Sequence, residues 1–141
     1  MQVIRRAHLV VAWAFVAGLV FQVFLAGRGV FEGAERFNDH VGWGYTIGLL
    51  PIVLLILAAA GRLGRRQVTY ASAMFGMFIL QPILVGLRDT QPTIAALHPV
   101  NGFALLLVAI LSAREAWVAR DASPGPAVAA VEQPATGSGA S

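Results

Sequence analysis

Four stretches of this chain contain no charged residue, and each is about as long as a membrane-crossing helix. A helix needs about 20 apolar residues to cross the hydrocarbon layer of a bilayer. Only 12% of the 141 residues are charged, whereas soluble domains have about 25%. We therefore expect an integral membrane protein in contact with the lipid bilayer. The uncharged stretches are residues 7–27, 40–61, 67–87 and 90–113.

The connections between these stretches are short, so consecutive helices should lie side by side. The sequence predicts an all-α fold, an integral membrane four-helix up-down-up-down bundle, over residues 1–120. Pro51 and Pro82 each remove a helix hydrogen bond and should kink the second and third helices. Residues 92–97 are expected to form a short interfacial turn before Pro99. The spans are placed at about 7–27, 40–61, 67–87 and 94–113.

The segment after the bundle, residues 121–141, is rich in Ala, Gly, Pro and Ser and has no hydrophobic periodicity. Such a composition buries too little apolar surface to fold, so a disordered tail is predicted. The first apolar stretch is interpreted as a retained helix. It is longer than the apolar core of a signal peptide, and no small-residue cleavage site closes it.

The placement of arginine predicts the orientation of the spans in the membrane. Cytoplasmic connections of membrane proteins carry an excess of basic residues. All ten basic residues are arginines, and seven of them lie at the N-terminus, in the second connection or after the fourth span. The sequence thus predicts a multi-pass protein of the plasma membrane with both termini, and the tail, cytoplasmic. The seven are Arg5, Arg6, Arg62, Arg65, Arg66, Arg114 and Arg120.

Several functional classes are disfavoured by what the chain lacks. Without cysteine, it cannot form disulfides, iron–sulfur clusters, zinc–thiolate sites or covalently attached haem. The arginines border apolar runs and form no patch, which favours a membrane surface over nucleic acid. No Asp, Glu or Arg lies inside the four stretches, which argues against an ion path. No motif for nucleotide binding or nucleophilic catalysis is found, so no catalytic residue is predicted. A non-enzymatic protein is favoured, and a haem-modifying enzyme stays open as an alternative.

Two short patterns occur in the same order in each half of the chain. The first is QxxLxG, at residues 22–27 and again at 81–86. The second is HxxxG, at residues 40–44 and again at 98–102. The order and nearly constant spacing predict a bundle built from two repeated helical hairpins. Because the first and third helices would run in the same direction, the hairpins would be related by an axis along the membrane normal.

This repeat places His40 and His98 at equivalent positions and similar depth. Two neutral imidazoles that face each other across a bundle can be the axial ligands of one haem iron. Gly44 and Gly102 share a helix face with these histidines and would leave room for a flat macrocycle. The hypothesis is a b-type haem between the second and fourth helices, used for electron transfer or for holding haem. An electron-carrying role would also require a redox partner or a membrane complex.

Polar residues near the same ends complete the candidate site. Gln22 and Gln81 would hydrogen-bond the second nitrogens of the histidines or an edge of the cofactor. Asn101 lies on the face of His98 and would support the site or contact another helix. The outer arginines would pair with haem propionates. These arginines are Arg28, Arg36 and Arg88.

Ordinary structural roles account for the same residues. A histidine at a membrane interface is often an anchor, and His8 is interpreted in this way. Gly44 and Gly48 form a small-xxx-small pair that lets helices approach closely, and glutamines bond across helices. Trp13, Trp43 and Trp117 are interpreted as anchors in the interfacial belt. The alternative hypothesis is thus a non-catalytic membrane bundle or accessory subunit without a cofactor.

The order "FLAGRGVF…FNDHVGWG" followed by "LHPVNG" resembles a family of small, uncharacterised four-helix bacterial membrane proteins, over about residues 8–117. No activity comes with that resemblance. The architecture is also similar to one half of haem A synthase, in which a histidine stands at the outer start of the second and fourth helices. His40 and His98 match those positions. The catalytic half of that enzyme has a glutamate three residues before its first histidine, where this chain has Phe37. The resemblance therefore implies the haem-holding, non-catalytic half.

Overall fold

The fold is a bundle of helices, seen in a computed structural model that describes residues 1–121. Within that range every regular element is helical and no strand occurs, as the sequence predicts. A single 3₁₀ turn, Ala34–Arg36, joins the first two α-helices. The α-helices are α1 (Gln2–Phe31), α2 (Phe37–Ile47), α3 (Leu50–Ala60), α4 (Arg65–Gly86), α5 (Pro92–Ala95) and α6 (Leu97–Asp121).

Within residues 1–121, four helical segments are long and apolar enough to cross a membrane, which supports the prediction of a multi-pass membrane protein. Their mean hydropathies range from 1.6 to 2.4, and only 11–33% of each apolar window is buried within the protein. The remaining apolar surface suits contact with lipid tails. The four segments are Gln2–Phe31, Ala34–Ala60, Arg65–Gly86 and Pro92–Arg120.

The second of these segments is interrupted where the sequence predicts a kink. Helix α2 ends at Ile47 and α3 begins at Leu50. The backbone N–H of Gly48 still donates to the carbonyl of Gly44 at 3.0 Å, but the next bond, from Leu49 to Thr46, is of the tighter 3₁₀ type. Pro51 then lies in the first turn of α3, where its missing N–H costs no helix bond.

The structural effects predicted for Pro82 and Pro99 are not observed in the same way. Pro82 lies inside α4, which continues to Gly86 without a break. The expected turn at residues 92–97 is instead a single helical turn, and α6 begins at Leu97, two residues before Pro99. His98 is therefore in the first turn of α6, where a following proline is tolerated.

The far end of α6 also differs from the prediction. This helix continues to Asp121, so the first residue of the predicted tail is helical. The rest of that prediction, for residues 122–141, lies outside the described part of the chain.

Small side chains hold the bundle together. Helix α1 packs on α2, α3 and α6, while α4 packs on α3 and α6. Where lipid surrounds a protein, helix association depends on close van der Waals packing, and small residues permit it. Five core alanines are at most 2% exposed, and Phe15, Leu54 and Met74 fill the space between them. The alanines are Ala12, Ala58, Ala71, Ala109 and Ala113.

Candidate functional site

His40 and His98 lie beside each other at one end of the bundle. The centroids of their rings are 6.2 Å apart, and the ring planes meet at 66°. Each histidine is in the first turn of its helix, α2 or α6, and each is half-buried. The fold thus brings together two residues that are far apart in the sequence.

The ring of His40 is held by one residue of α1, Gln22. Nδ1 of His40 lies 3.1 Å from the backbone carbonyl oxygen of Gln22. Because a carbonyl can only accept, this contact assigns the ring proton to Nδ1 and the lone pair to Nε2. The side-chain nitrogen of Gln22 donates to the His40 carbonyl at 2.9 Å and lies 3.2 Å from Nε2. Both amide hydrogens of Gln22 are therefore directed at His40.

His98 has a similar relationship to Gln81 of α4. Its Nδ1 lies 3.3 Å from the backbone carbonyl of Gln81. The Gln81 amide suits its neighbours when its nitrogen donates to the His98 carbonyl at 3.1 Å and its oxygen accepts from the Gly102 N–H at 3.2 Å. In that orientation the same nitrogen is 3.0 Å from Nδ1. The tautomer of His98 therefore decides whether Nδ1 donates to the carbonyl or accepts from the amide.

Each glycine of the HxxxG pattern lies beside one of these glutamines. A Cβ at Gly44 would be 2.8 Å from the amide nitrogen of Gln22, and one at Gly102 would be 3.2 Å from the amide group of Gln81. The glycines thus make room for the glutamine side chains. Sequence reasoning reserved this room for a macrocycle, because it could not place the glutamines so close to the glycines.

The outer arginines contact carboxylates of the protein itself. Arg28 donates from Nη2 to Glu32 at 2.8 Å and from Nη1 to Asp39 at 3.2 Å. The hydrogen bond from Arg28 is the main cause that lowers the pKa of the Glu32 carboxyl. Arg36 lies 3.6 Å from Glu32, and Arg88 lies 3.7 Å from Asp89. The arginines offered for haem propionates therefore already have anionic neighbours.

Two further polar residues join helices next to the histidines. Asn101 donates to the carbonyl of Met77 on α4 at 2.8 Å, which is the helix–helix contact considered from the sequence. Trp43 donates from its indole nitrogen to the carbonyl of Gly18 on α1 at 3.0 Å. Its side chain therefore points inward, although the sequence suggested a belt anchor. The sequence could have indicated this position, because Trp43 is three residues after His40 and lies on the same face of the helix.

His8 was expected at the membrane interface beside Arg5 and Arg6. Its side chain is buried within the protein there and is only 1% exposed. Neither of its ring nitrogens has a hydrogen-bond partner within residues 1–121. The sequence carried no signal for this burial, because burial depends on how other helices pack against α1.

In comparisons with known proteins, a family model matches a segment of the chain that contains part of this site. Residues 22–90 match DUF6220, a family of unknown function. The match covers just under half of the chain. It includes Gln22, His40, Gly44 and Gln81, and it ends before His98. No curated protein and no solved structure matches the chain. The resemblance to an uncharacterised family is thus supported, and no similarity to haem A synthase was found.

Proposed function

We propose that the protein is a membrane-bound b-type haem protein, in which His40 and His98 would hold the haem iron. Electron transfer or the holding of haem would then be its role. The observation that carries this proposal is the separation of 6.2 Å between the two ring centroids.

This separation suits two imidazoles on one metal ion. A histidine nitrogen binds a metal at about 2 Å, which places the ring centroid about 3 Å from the metal. Two rings that bind one metal ion would therefore have centroids at most about 6 Å apart. Residues 1–121 contain no cluster of three or more His, Cys, Asp or Glu that could hold a bare metal ion. Two histidines suffice for haem, because the porphyrin supplies the other four nitrogens.

The hydrogen bonds at Nδ1 support the same proposal. A metal-binding histidine usually donates its other ring N–H to a carboxylate or backbone carbonyl, which fixes the tautomer. The carbonyl of Gln22 is in this position for His40, and that of Gln81 for His98. In the Nδ1–H tautomer both Nε2 atoms carry the lone pair that a ligand needs. At His40 the amide of Gln22 would have to release Nε2, while keeping its bond to the His40 carbonyl.

The proposal includes the arrangement of the helices. The four spans would alternate in an up-down-up-down bundle of two repeated hairpins, with both termini in the cytoplasm of a bacterial cell. The contact between a glutamine amide and a histidine carbonyl supports the repeat, because it occurs once in each half, at 2.9 and 3.1 Å. The uneven distribution of arginine supports the orientation.

The residue three positions before the first histidine favours holding haem over modifying it. Phe37 stands where the catalytic half of haem A synthase has a glutamate, and its ring centroid is 6.3 Å from that of His40. This side chain cannot exchange protons. It would shield one side of the ligand from water.

A bundle without a cofactor is the second candidate. The filling of the space beside Gly44 and Gly102 by glutamine amides favours it. These amides join α1 to α2 and α4 to α6, which is a sufficient structural reason for both patterns. The protein would then be an accessory subunit or a non-catalytic membrane protein.

An absorption spectrum separates the two candidates. The protein is produced in cells supplied with a haem precursor, purified in detergent, and measured oxidised and then reduced. We expect the bands of a six-coordinate b-type haem, lost in His40→Ala and in His98→Ala but kept in His8→Ala. Added imidazole should restore the bands in the first two variants, which would show that these variants are folded. If the wild-type protein takes up no haem, the haem proposal is wrong and the bundle without a cofactor is the supported candidate.

A further inference from the structure

A second polar site lies at the other end of the bundle. A cavity of about 230 Å³ is bounded by the beginning of α1, the beginning of α4 and the last turns of α6. Glu115 of this cavity and His98 lie on the same helix, about 26 Å apart along its axis. The cavity is therefore separate from the His40–His98 pair by most of a membrane thickness.

The walls of this cavity are cationic. Arg5, Arg6 and Arg120 all line it, together with the carboxylate of Glu115. That carboxylate is paired with Arg66 at 3.0 Å, so its charge is offset by a fourth guanidinium. Helices α1 and α4 both begin here, and the positive ends of their dipoles add to the field.

His8 lines the same cavity and lacks a partner. It is 1% exposed, and among residues 1–121 nothing forms a hydrogen bond with either ring nitrogen. Buried polar groups in folded proteins are almost always hydrogen-bonded, and an exception calls for an explanation such as an unseen ligand. The neighbouring polar residue Gln67 needs no such ligand, because it exchanges hydrogen bonds with Ser112 at 2.8 and 3.2 Å.

We propose that this cavity binds the phosphate group of an anionic ligand, with Arg5 and Arg6 as the charged contacts and His8 as a buried donor. The planar fork of an arginine matches the oxygens of a phosphate. The volume equals that of roughly eight water molecules, which is enough for a phosphate and part of its ester. Both the headgroup of an anionic phospholipid and a soluble phosphate ester offer this chemistry at the end of a membrane helix.

Binding measurements on the full chain test the proposal and identify the source. In the first arm, inorganic phosphate is titrated into protein held in phosphatidylcholine nanodiscs, and the thermal unfolding midpoint is recorded. In the second arm, nanodiscs contain increasing phosphatidylglycerol, and lipids retained by the protein are counted by native mass spectrometry. Arg5→Gln and Arg6→Gln should each weaken binding about tenfold, the usual loss of one charge-assisted hydrogen bond. The matched control is Arg88→Gln, which removes an exposed arginine at the other end and should leave the binding of phosphate and of phosphatidylglycerol unchanged.

A variant of His8 separates ligand binding from a structural role. His8→Phe keeps a ring of similar size and removes both unsatisfied nitrogens. It should weaken binding while leaving the unfolding midpoint without ligand unchanged or higher. A midpoint that falls would show instead that His8 stabilises the fold, and would remove it from the proposed site.

The outcomes are distinct. Stabilisation by inorganic phosphate indicates a soluble phosphate ester, and retention of phosphatidylglycerol alone indicates a lipid headgroup. The proposal is overturned if inorganic phosphate does not raise the unfolding midpoint and phosphatidylglycerol is retained no more than phosphatidylcholine. It is also overturned if Arg88→Gln weakens binding as much as Arg5→Gln does, because net charge alone would then explain the effect.

Discussion

The side-chain nitrogen of Gln22 lies 2.8 Å from the point where a Cβ at Gly44 would be. The same nitrogen donates to the carbonyl of His40 at 2.9 Å. Any side chain at Gly44 would thus displace the group that holds His40 against α1. The absence of a side chain at Gly44 therefore lets Gln22 hold His40, which lies one helical turn before Gly44 in α2.

This relationship predicts that Gly44→Ala destabilises the fold more than Gly42→Ala does. Both replacements gain helix propensity, worth about 0.5–1 kcal/mol. The methyl group at Gly42 meets no atom within 4 Å, whereas that at Gly44 displaces Gln22. Loss of the Gln22 hydrogen bonds should cost Gly44→Ala about 1–2 kcal/mol relative to the control. Chemical unfolding in detergent measures the difference, and equal stabilities would contradict the contact.

The approach of Gly48, between α2 and α3, to Phe78 of α4 gives a second prediction. A Cβ at Gly48 would overlap the ring of Phe78, while one at Gly76 of α4 would meet nothing within 4 Å. Gly48→Ala should therefore destabilise the protein by about 1–3 kcal/mol, as overpacking usually does, and Gly76→Ala should not. The double variant Gly48→Ala/Phe78→Leu should recover part of the loss. If it recovers none, the overlap is not the cause.

The buried pair of Gln67 and Ser112 connects α4 to α6. Ser112 donates from its hydroxyl to the side-chain oxygen of Gln67 at 2.8 Å, and both residues are at most 4% exposed. Ser112→Ala leaves that oxygen without its donor, which should cost about 1–3 kcal/mol. Ser72→Ala is the control, because Ser72 is exposed on α4. The same denaturant titration compares them, and a neutral Ser112→Ala would show that water replaces the hydroxyl.

The carboxyl of Glu32 should titrate below its ordinary range. Hydrogen bonding from Arg28 lowers its pKa, so the interaction favours the folded state at pH values above the unfolded pKa of Glu32. This contribution is lost as the pH falls through the lowered pKa. NMR of the labelled side chain should show the midpoint rise in Arg28→Gln and stay in place in Arg88→Gln. An unchanged midpoint in Arg28→Gln would show that the ion pair does not form in solution.

The proposed orientation is tested with reporters at the C-terminus. A fusion after Ser141 should be active with a reporter that works only in the cytoplasm, and silent with one that works only outside. The physical reason is the excess of arginine in the connections assigned to the cytoplasm. An external C-terminus would contradict the proposed orientation.

Most of the helical content follows from the sequence, because it depends on local composition. Uncharged runs of sufficient length can satisfy their backbone hydrogen bonds in a membrane only as helices, and the four apolar segments are found where the hydropathy predicts them. Pro51 likewise indicated the irregularity in the second segment. The close approach of Gly48, in this break, to the ring of Phe78 was not predictable, because Phe78 lies on another helix.

The candidate site was only partly predictable. The repeated patterns selected His40, His98, Gln22 and Gln81, and hydrogen bonds in the structure join each glutamine to its histidine. The role of the adjacent glycines was not visible, since it arises from the distance between two helices.

The sequence by itself determined that this chain is a helical membrane protein, because length and hydropathy act on each segment separately. Only the tertiary structure decided which polar groups meet. It brought the rings of His40 and His98 to 6.2 Å, and it buried His8 without a hydrogen-bond partner among residues 1–121. The physical reason is that a polar side chain in a helix can satisfy its hydrogen bonds on whichever neighbour packing brings close. Hydropathy along the chain contains no information about that neighbour.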